Sequence, residues 1–349
     1  MNINGHPTLS SSLGSGPTPV IAAIDLGTNS CRLLVARSFP TGLRIIDSFS
    51  RIVRLGEGVQ KTDMLSTEAM NRSLEALKIC HTKIHHNHVN KFRAVTTEAC
   101  RRAKNGSELV KRVATDLNLN LEIISNAEEA RLALSGCAGV LNPDIPYAIA
   151  FDIGGGSTEV MWLRLDENTV KTPTIVPEAI DWISLPYGVV TLSEAYGTAS
   201  LSAYQEIRDT INTELKKFSE RNHINRFCEA GQVQMVGTSG TVTTLAAVHL
   251  GLQRYDRHII DGFYMQLSDI HRISSELLSM GYQGRINNPC IGPGRADLVV
   301  IGAAILEGIC DTWSLPRLRV ADRGVREGIL LDLVQELQRE TEENSKEDT

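Results

Sequence analysis

The stretch "FDIGGGSTEV", residues 151–160, sets three glycines between Asp152 and Glu159, directly after the apolar run "YAIA". Glycine serves where backbone must turn with φ > 0 or let another group approach closely. A carboxylate on each side of so bare a loop suits a phosphate held together with Mg²⁺, which takes oxygens from one or two carboxylates and from the phosphates themselves. Taken alone, the ten residues read equally well as a hairpin turn between solvated charges.

A second stretch has the same layout. "AIDLGTNSCRLLV", residues 23–35, runs from an apolar strand to Asp25, a turn of small residues and apolar alternation. Asp25 and Asp152, Gly27 and Gly154, Ser30 and Ser157, and Arg32 and Glu159 are each 127 residues apart. Two hairpins with a phosphate-sized loop, about a domain apart, imply a duplicated protein that clasps its ligand between halves. A third element, "MVGTSGTVTTLAAVHL" at 235–250, reads as strand, turn and helix. Its first-turn amides lack intrahelical partners and sit at the positive end of the helix dipole, which makes an anion site. A capped helix without a ligand is the plain alternative. The chain contains no G-x-x-x-x-G-K-[ST], and 154–159 lacks the final glycine of a dinucleotide fingerprint.

The elements that must position these loops follow from periodicity. Residues 20–37 and 43–55 read as alternating strands leading into a turn at Gly56 and Gly58. "STEAMNRSLEALKICHTKI" reads as a helix capped by Ser66 or Thr67, "FRAVTTEACRRA" as strand, polar turn and helix start, and "SELVKRVATDLNL" as a helix. "LEIIS" is a strand, and "NAEEARLALSGCAGVL" a helix opened by acidic residues. The order is that of an α/β chain with a boundary near residue 135. The divisions expected are a disordered leader at 1–19, an N-terminal domain at 20–134, a C-terminal domain at 135–335 and an acidic disordered tail at 336–349.

Composition excludes several classes. The chain has 349 residues, enough for about two domains, with 42% hydrophobic and 22% charged residues, as in a soluble globular protein. No apolar run approaches a membrane span, and the Gly-, Ser-, Pro- and Thr-rich start lacks the pattern of a secretory signal. The seven cysteines are scattered without a C-x-x-C pair and read as reduced thiols of a cytoplasmic protein. A net charge of −6 argues against DNA or RNA binding and against a membrane surface, so a phosphate ligand must be met by a local basic patch.

Together, "AAIDLGTNSCRLLVA", "EIISNAEEARLAL", "FDIGGGSTEV", "GTSGTVTTLAA", "RADLVVIGAAIL" and "DRGVREGIL" closely resemble the exopolyphosphatase / guanosine pentaphosphate phosphohydrolase family, in the family's order over residues 20 to about 335. The resemblance implies an actin-like fold of two ribonuclease-H-like domains, each a five-stranded mixed sheet flanked by helices, with the active site between them. It implies a phosphoanhydride hydrolase that releases terminal orthophosphate from inorganic polyphosphate, or converts guanosine pentaphosphate to the tetraphosphate. The resemblance makes Glu129 the catalytic base, puts Asp152 and Glu159 where the family binds metal, with Asp25 across the cleft, and makes Arg101 a catalytic arginine that meets the developing charge on the phosphate. The expected phosphate grips are the amides of Gly27, Thr28, Asn29 and Ser30, of Gly154, Gly155, Gly156 and Ser157, and of Gly237, Thr238, Ser239, Gly240 and Thr241. Mg²⁺ is the implied cofactor, K⁺ dependence stays open, and a homodimer is expected from the resemblance alone. The missing His-Asp dipeptide points to the short, two-domain type.

Each assignment has a plainer counterpart. Glu128 and Glu129 open a helix, where the dipole favours acids whatever the function. Arg101 can pair with a helix carboxylate. "HTKIHHNH" at 81–88 closes an exposed helix without nearby Cys or carboxylate ligands, so a solvated face outweighs a metal site. "RADLVVIGAAILEGI" reads as core packing between the domains, with Asp297 free to face the cleft. An actin-like ATPase or kinase, and a sensor that binds without turnover, are the other functions this fold can carry. A kinase would need an adenine pocket and an acceptor site, whereas a water-activating Glu129 argues against transfer.

Overall fold

The computed structural model describes residues 18–39, 42–165, 177–197 and 200–347; most of the expected leader lies outside these residues. The apolar alternation of residues 20–52 forms an antiparallel meander of β1 (Val20–Leu26), β2 (Ser30–Phe39) and β3 (Gly42–Ile52). β4 (Lys91–Thr96) and β5 (Leu121–Ile123) then add in parallel on the far side of β1, each reached through helices, giving the order β3-β2-β1-β4-β5. The second half repeats the scheme. β6 (Tyr147–Ile153), β7 (Thr158–Arg164) and β8 (Glu178–Leu185) form the meander, and β9 (Val233–Thr238) and β11 (Arg317–Ala321) add in parallel. The chain is thus a duplicated, actin-like pair of ribonuclease-H-like sheets. The second sheet has six strands rather than the expected five, because the short β10 (Tyr264–Gln266) pairs antiparallel with the edge of β11.

The duplication extends to single hydrogen bonds. Asp25 lies opposite Arg32 across β1 and β2, and Asp152 opposite Glu159 across β6 and β7. In each hairpin the amide of the turn glycine, Gly27 or Gly154, donates to the carbonyl of the serine three residues on at 2.9 Å.

Helices cover both faces. Thr67–His86 is capped by Ser66, whose hydroxyl accepts the Ala69 amide at 3.1 Å, and it buries Met70, Leu74 and Leu77 against the first sheet. The helix Val299–Trp313 is buried along almost its whole length, its Glu307 and Asp311 paired with Arg208 and His271. It lies in the core of the second domain rather than between the domains, and only its start reaches the cleft. Asp297, just before it, reaches the first domain instead, pairing with Arg54 at 2.8 Å. A second contact joins the same loop to the second domain, Gly58 donating its amide to Glu194 at 2.7 Å.

The chain returns to its first half at the end. The helix Val325–Glu347 packs Ile329, Leu330 and Leu333 on Ile21, Ala23 and Leu34 of the first sheet and on Leu132 and Ala133 of the helix Asn126–Cys137. Each such fully buried aliphatic side chain contributes roughly 1.5–3 kcal/mol. The apolar face of residues 325–335 therefore packs on the first sheet, while Glu327 accepts from Arg257 of the second domain at 2.7 Å. The expected disordered tail from residue 336 is helix as far as Glu347, its charges used in pairs such as Lys91 with Glu336 and Glu340, both at 2.8 Å. Among the described residues no helix is long and apolar enough to cross a membrane.

Candidate active site in the interdomain cleft

The three small-residue loops meet in one cleft. It is lined by Asp25 and Gly27 to Ser30 from the first hairpin, Asp152 and Gly154 to Ser157 from the second, and Ser239, Gly240 and Thr241 from the helix Gly240–His249. The glycines are bare because the loops stack on one another. A Cβ on Gly155 would stand 2.8 Å from Thr28 Cβ, one on Gly156 2.7 Å from Glu98 Cγ, and one on Gly188 2.4 Å from the Gly155 backbone. Behind each hairpin the carbonyls are tied down. Thr28 and Asn29 accept the amides of Gly56, Val53 and Arg54, and Gly154 and Gly155 accept those of Val189 and Val190. In front, the amides of Thr28, Asn29, Gly155 and Gly156 have no acceptor among the described residues. Unpaired amides that converge on a cleft are what an anion needs.

Part of the third loop is not available. Gly237 and Thr238 belong to β9 and do not line the cleft; Gly237 is a glycine because a Cβ would meet the Phe151 ring at 2.5 Å, and Thr238 donates its hydroxyl to the Arg323 carbonyl. The Ser239 hydroxyl takes the amides of Thr241 at 3.0 Å and Val242 at 3.1 Å. Ser239 does so at φ 147, a strained value for a residue with a side chain and one that clusters at functional sites.

Glu128 and Glu129, adjacent in sequence, part company in space. Ser125 caps their helix. Glu128 faces outward and binds Arg93 at 2.9 Å and Arg131 at 2.8 Å, which hold its carboxyl below the usual range. Glu129 faces the cleft. Burial first and the charge of Glu159 second push its carboxyl up to about 8, against the pull of Arg101. Burial and then Glu129 raise Asp152 to about 7, and burial raises Asp25 in spite of Arg32. Glu159 is also raised to about 7 by burial, but it is 2% exposed and stands one layer below the cleft lining, accepting from Ser157 at 2.7 Å and Ser184 at 2.9 Å.

Two arginines line the same cleft. Arg32 lies within 3.6 Å of where a Gly240 Cβ would be, so it spans the cleft to the helix N-terminus; Arg295 lies beside it and donates to Thr244 at 2.8 Å. Neither makes an ion pair among the described residues. Burial and the neighbouring Arg32 lower the pKa of Arg295, and Arg32 in turn acts on Asp25 and Asp152. Neither arginine emerged as a ligand from the sequence. The available signal was that Arg32 and Glu159 hold equivalent positions with opposite charge. Arg101 is elsewhere, behind Glu129, and is engaged by Glu98 and Glu129 together.

Comparisons with known proteins place the chain among relatives. The model of the Ppx/GppA phosphatase family matches residues 34–337. The chain belongs to the Ppx/GppA phosphatase family. A guanosine-5'-triphosphate,3'-diphosphate pyrophosphatase of Aeromonas salmonicida is 28% identical over 91% of this chain, which spans only 60% of that relative's length. Exopolyphosphatase 2 of Mycobacterium tuberculosis is 29% identical over 90% of this chain and 98% of its own. The crystal structure of the Aquifex aeolicus member of the Ppx/GppA family superposes with a TM-score of 0.73 at 27% identity, covering 92% of this chain and 99% of that one. At that coverage the superposition takes in both sheets of this Ppx/GppA chain and so the cleft between them.

Proposed function

We propose that the chain is a Mg²⁺-dependent phosphoanhydride hydrolase that releases terminal orthophosphate from inorganic polyphosphate, with conversion of guanosine pentaphosphate to the tetraphosphate as the other candidate activity. The observation that carries this is one cleft that holds both signs of charge. Arg32, Arg295 and free amides line the same cleft as the half-buried carboxylates Asp25, Glu129 and Asp152, with Arg32 beside Asp25. The two relatives, near-equal in identity, carry the two names.

A phosphoanhydride needs a water aimed in line at the terminal phosphorus and relief of charge on its oxygens. Glu129 is the side chain suited to orient and deprotonate that water. The amides of Thr28, Asn29, Gly155 and Gly156, with Arg32 and Arg295, suit the phosphate oxygens.

The residues also fit a divalent cation. Among the described residues no three carboxylate, histidine or cysteine side chains form a metal cage. Mg²⁺ seldom uses one, and relies instead on one or two carboxylates, waters and substrate phosphates. Asp25 and Asp152 are half-buried, mutually repelling and open to the cleft, and Asn29 Oδ1 is a buried acceptor without a partner among the described residues, which a cation or its water satisfies and a phosphate does not. Glu159 supports the set from below through Ser157. Asp25, Asp152 and Asn29 would hold the cation, which when bound would supply neutralisation of charge on the leaving group.

The test is orthophosphate release by the purified chain from long-chain polyphosphate and, separately, from guanosine pentaphosphate, with Mg²⁺ or EDTA. Release with Mg²⁺ alone supports the reading, and the ratio of the two rates names the substrate. Tight binding of either substrate without release turns the assignment to a sensor. Arg295→Ala is expected to raise KM about 10–100-fold, the worth of one charge-assisted hydrogen bond at roughly 1.5–3 kcal/mol, and to weaken its salt dependence. An unchanged KM would place the phosphate elsewhere.

A further inference from the structure

We propose that Glu98 is a positioning residue for hydrolysis: it holds Arg101 so that this arginine aims Glu129 instead of contacting the phosphate. The proposal rests on the hydrolase reading above. Arginine has five N–H donors and no acceptor. In Arg101, Nε and Nη2 both donate to Glu98 Oε2, at 3.1 and 2.7 Å. Nη1 donates to the Ile124 carbonyl at 2.6 Å, and Nη2 also donates to Glu129 Oε2 at 3.1 Å. Four donors are thereby committed within the protein, and one on Nη1 remains. An arginine held in this way cannot present the two-pronged face with which arginine usually grips phosphate. Arg32 and Arg295 have that freedom.

An i,i+3 pair such as Glu98 and Arg101 on an exposed helix adds little to stability and carries no function. This pair differs in two respects. Its side chains are only 24% and 20% exposed, and it shares its arginine with a third group, Glu129, from another helix. Glu98 also lines the cleft and packs where a side chain on Gly156 would stand, so the glycine loop of the second domain backs it. Without Glu98, Arg101 keeps the Ile124 carbonyl and Glu129 as partners, and its guanidinium is free to turn about them. The carboxylate that must meet the attacking water then loses its fixed orientation.

The experiment is a kinetic cycle with polyphosphate and Mg²⁺, using wild type, Glu98→Ala, Glu98→Gln, Glu129→Ala and the double variant Glu98→Ala/Glu129→Ala. Glu98→Ala is expected to lower kcat by ~10²-fold, the usual cost of misplacing a reacting group by about 1 Å, with KM unchanged. Glu98→Gln, whose amide oxygen still accepts from Arg101, is expected to recover most of the rate. In the Glu129→Ala background the Glu98→Ala change should cost nothing more, since residues that act as one unit are not additive. A loss carried by KM, or an equal loss without Glu129, overturns the proposal and makes Glu98 a substrate or cation contact. A melting-temperature cycle gives a readout without turnover: Glu98→Ala and Glu129→Ala should couple, and the coupling should vanish when Arg101→Met is added. Additive melting shifts overturn the linkage. If wild type releases no phosphate from either substrate, the hydrolase reading fails by itself, and the melting cycle still decides whether Glu98 acts on Glu129 through Arg101.

Discussion

Glu129→Ala is expected to lower phosphate release by about 10²–10⁴-fold, the range a positioned base contributes, with substrate binding retained. The pH dependence of the wild type follows from the same carboxyl. A base pushed up to about 8 is mostly protonated in the free protein at neutral pH, so kcat/KM should rise with pH through about 8 and level off above it. Stability should run the other way. The folded state keeps a proton on Glu129 that the unfolded chain releases near 4.5, so unfolding sheds protons over that interval and stability falls as pH climbs from 4.5 to about 8. A tenfold change in proton affinity is worth about 1.4 kcal/mol, so removing the charge should be visible in melting. Glu129→Gln is expected to melt several degrees higher than wild type at pH 8 and no higher at pH 4.5. An activity that falls as pH rises from 6 to 8, or a Glu129→Gln protein that melts lower at pH 8, would remove Glu129 from the base's role and its buried charge from the energetics.

That antagonism explains why the site is built from two halves. Four raised carboxyls in and beneath one cleft are a liability that Arg32 and Arg101 offset only in part. A cation brought by a phosphate chain would offset them, and the phosphates in turn would offset Arg32 and Arg295. Ligand binding then stabilises the closed pair of domains by mass action, and the latch contacts of Arg54 with Asp297 and Gly58 with Glu194 are placed to register it.

The duplication was legible in the sequence because it rests on local chemistry. Asp25 and Asp152 stand at equivalent strand ends, and a hairpin turn of fixed length follows each, so one spacing carried the topology. The same reasoning brought Gly27 to Ser30 and Gly154 to Ser157 to the cleft. It failed where a residue's role depends on what lies across the cleft. Gly237 is required by the Phe151 ring on the neighbouring strand, which no local pattern records. Arg101, three residues after Glu98 and far in sequence from Glu129, reads as a phosphate ligand until its donors are counted. The acidic tail from residue 336 reads as disordered because charge runs usually are. Its partner Lys91, on a strand of the first domain, becomes visible only in three dimensions.

The last expectation concerns a residue outside the cleft. Gly328 lies in the helix Val325–Glu347, and a Cβ there would stand 2.1 Å from the Leu132 carbonyl oxygen and 2.8 Å from its carbon. Gly136 meets the Gly324 carbonyl in the same way, at 2.1 Å, so the two helices touch backbone to backbone. Two effects of Gly328→Ala oppose each other. Alanine favours a helix interior over glycine by roughly 0.5–1 kcal/mol, whereas forcing a methyl into a packed contact costs typically about 1–3 kcal/mol and sometimes more. The obstacle is backbone, which cannot swing aside as a side chain does, so the packing effect should win and the variant should melt several degrees lower. The consequence reaches the chemistry because Leu132 is one turn from Glu129. A helix displaced by the extra methyl carries the carboxylate with it, and kcat should fall by ~10²-fold although no cleft residue has changed. A Gly328→Ala protein that melts higher and keeps its kcat would show that the helices do not approach so closely, and that Glu129 is positioned by Arg101 alone.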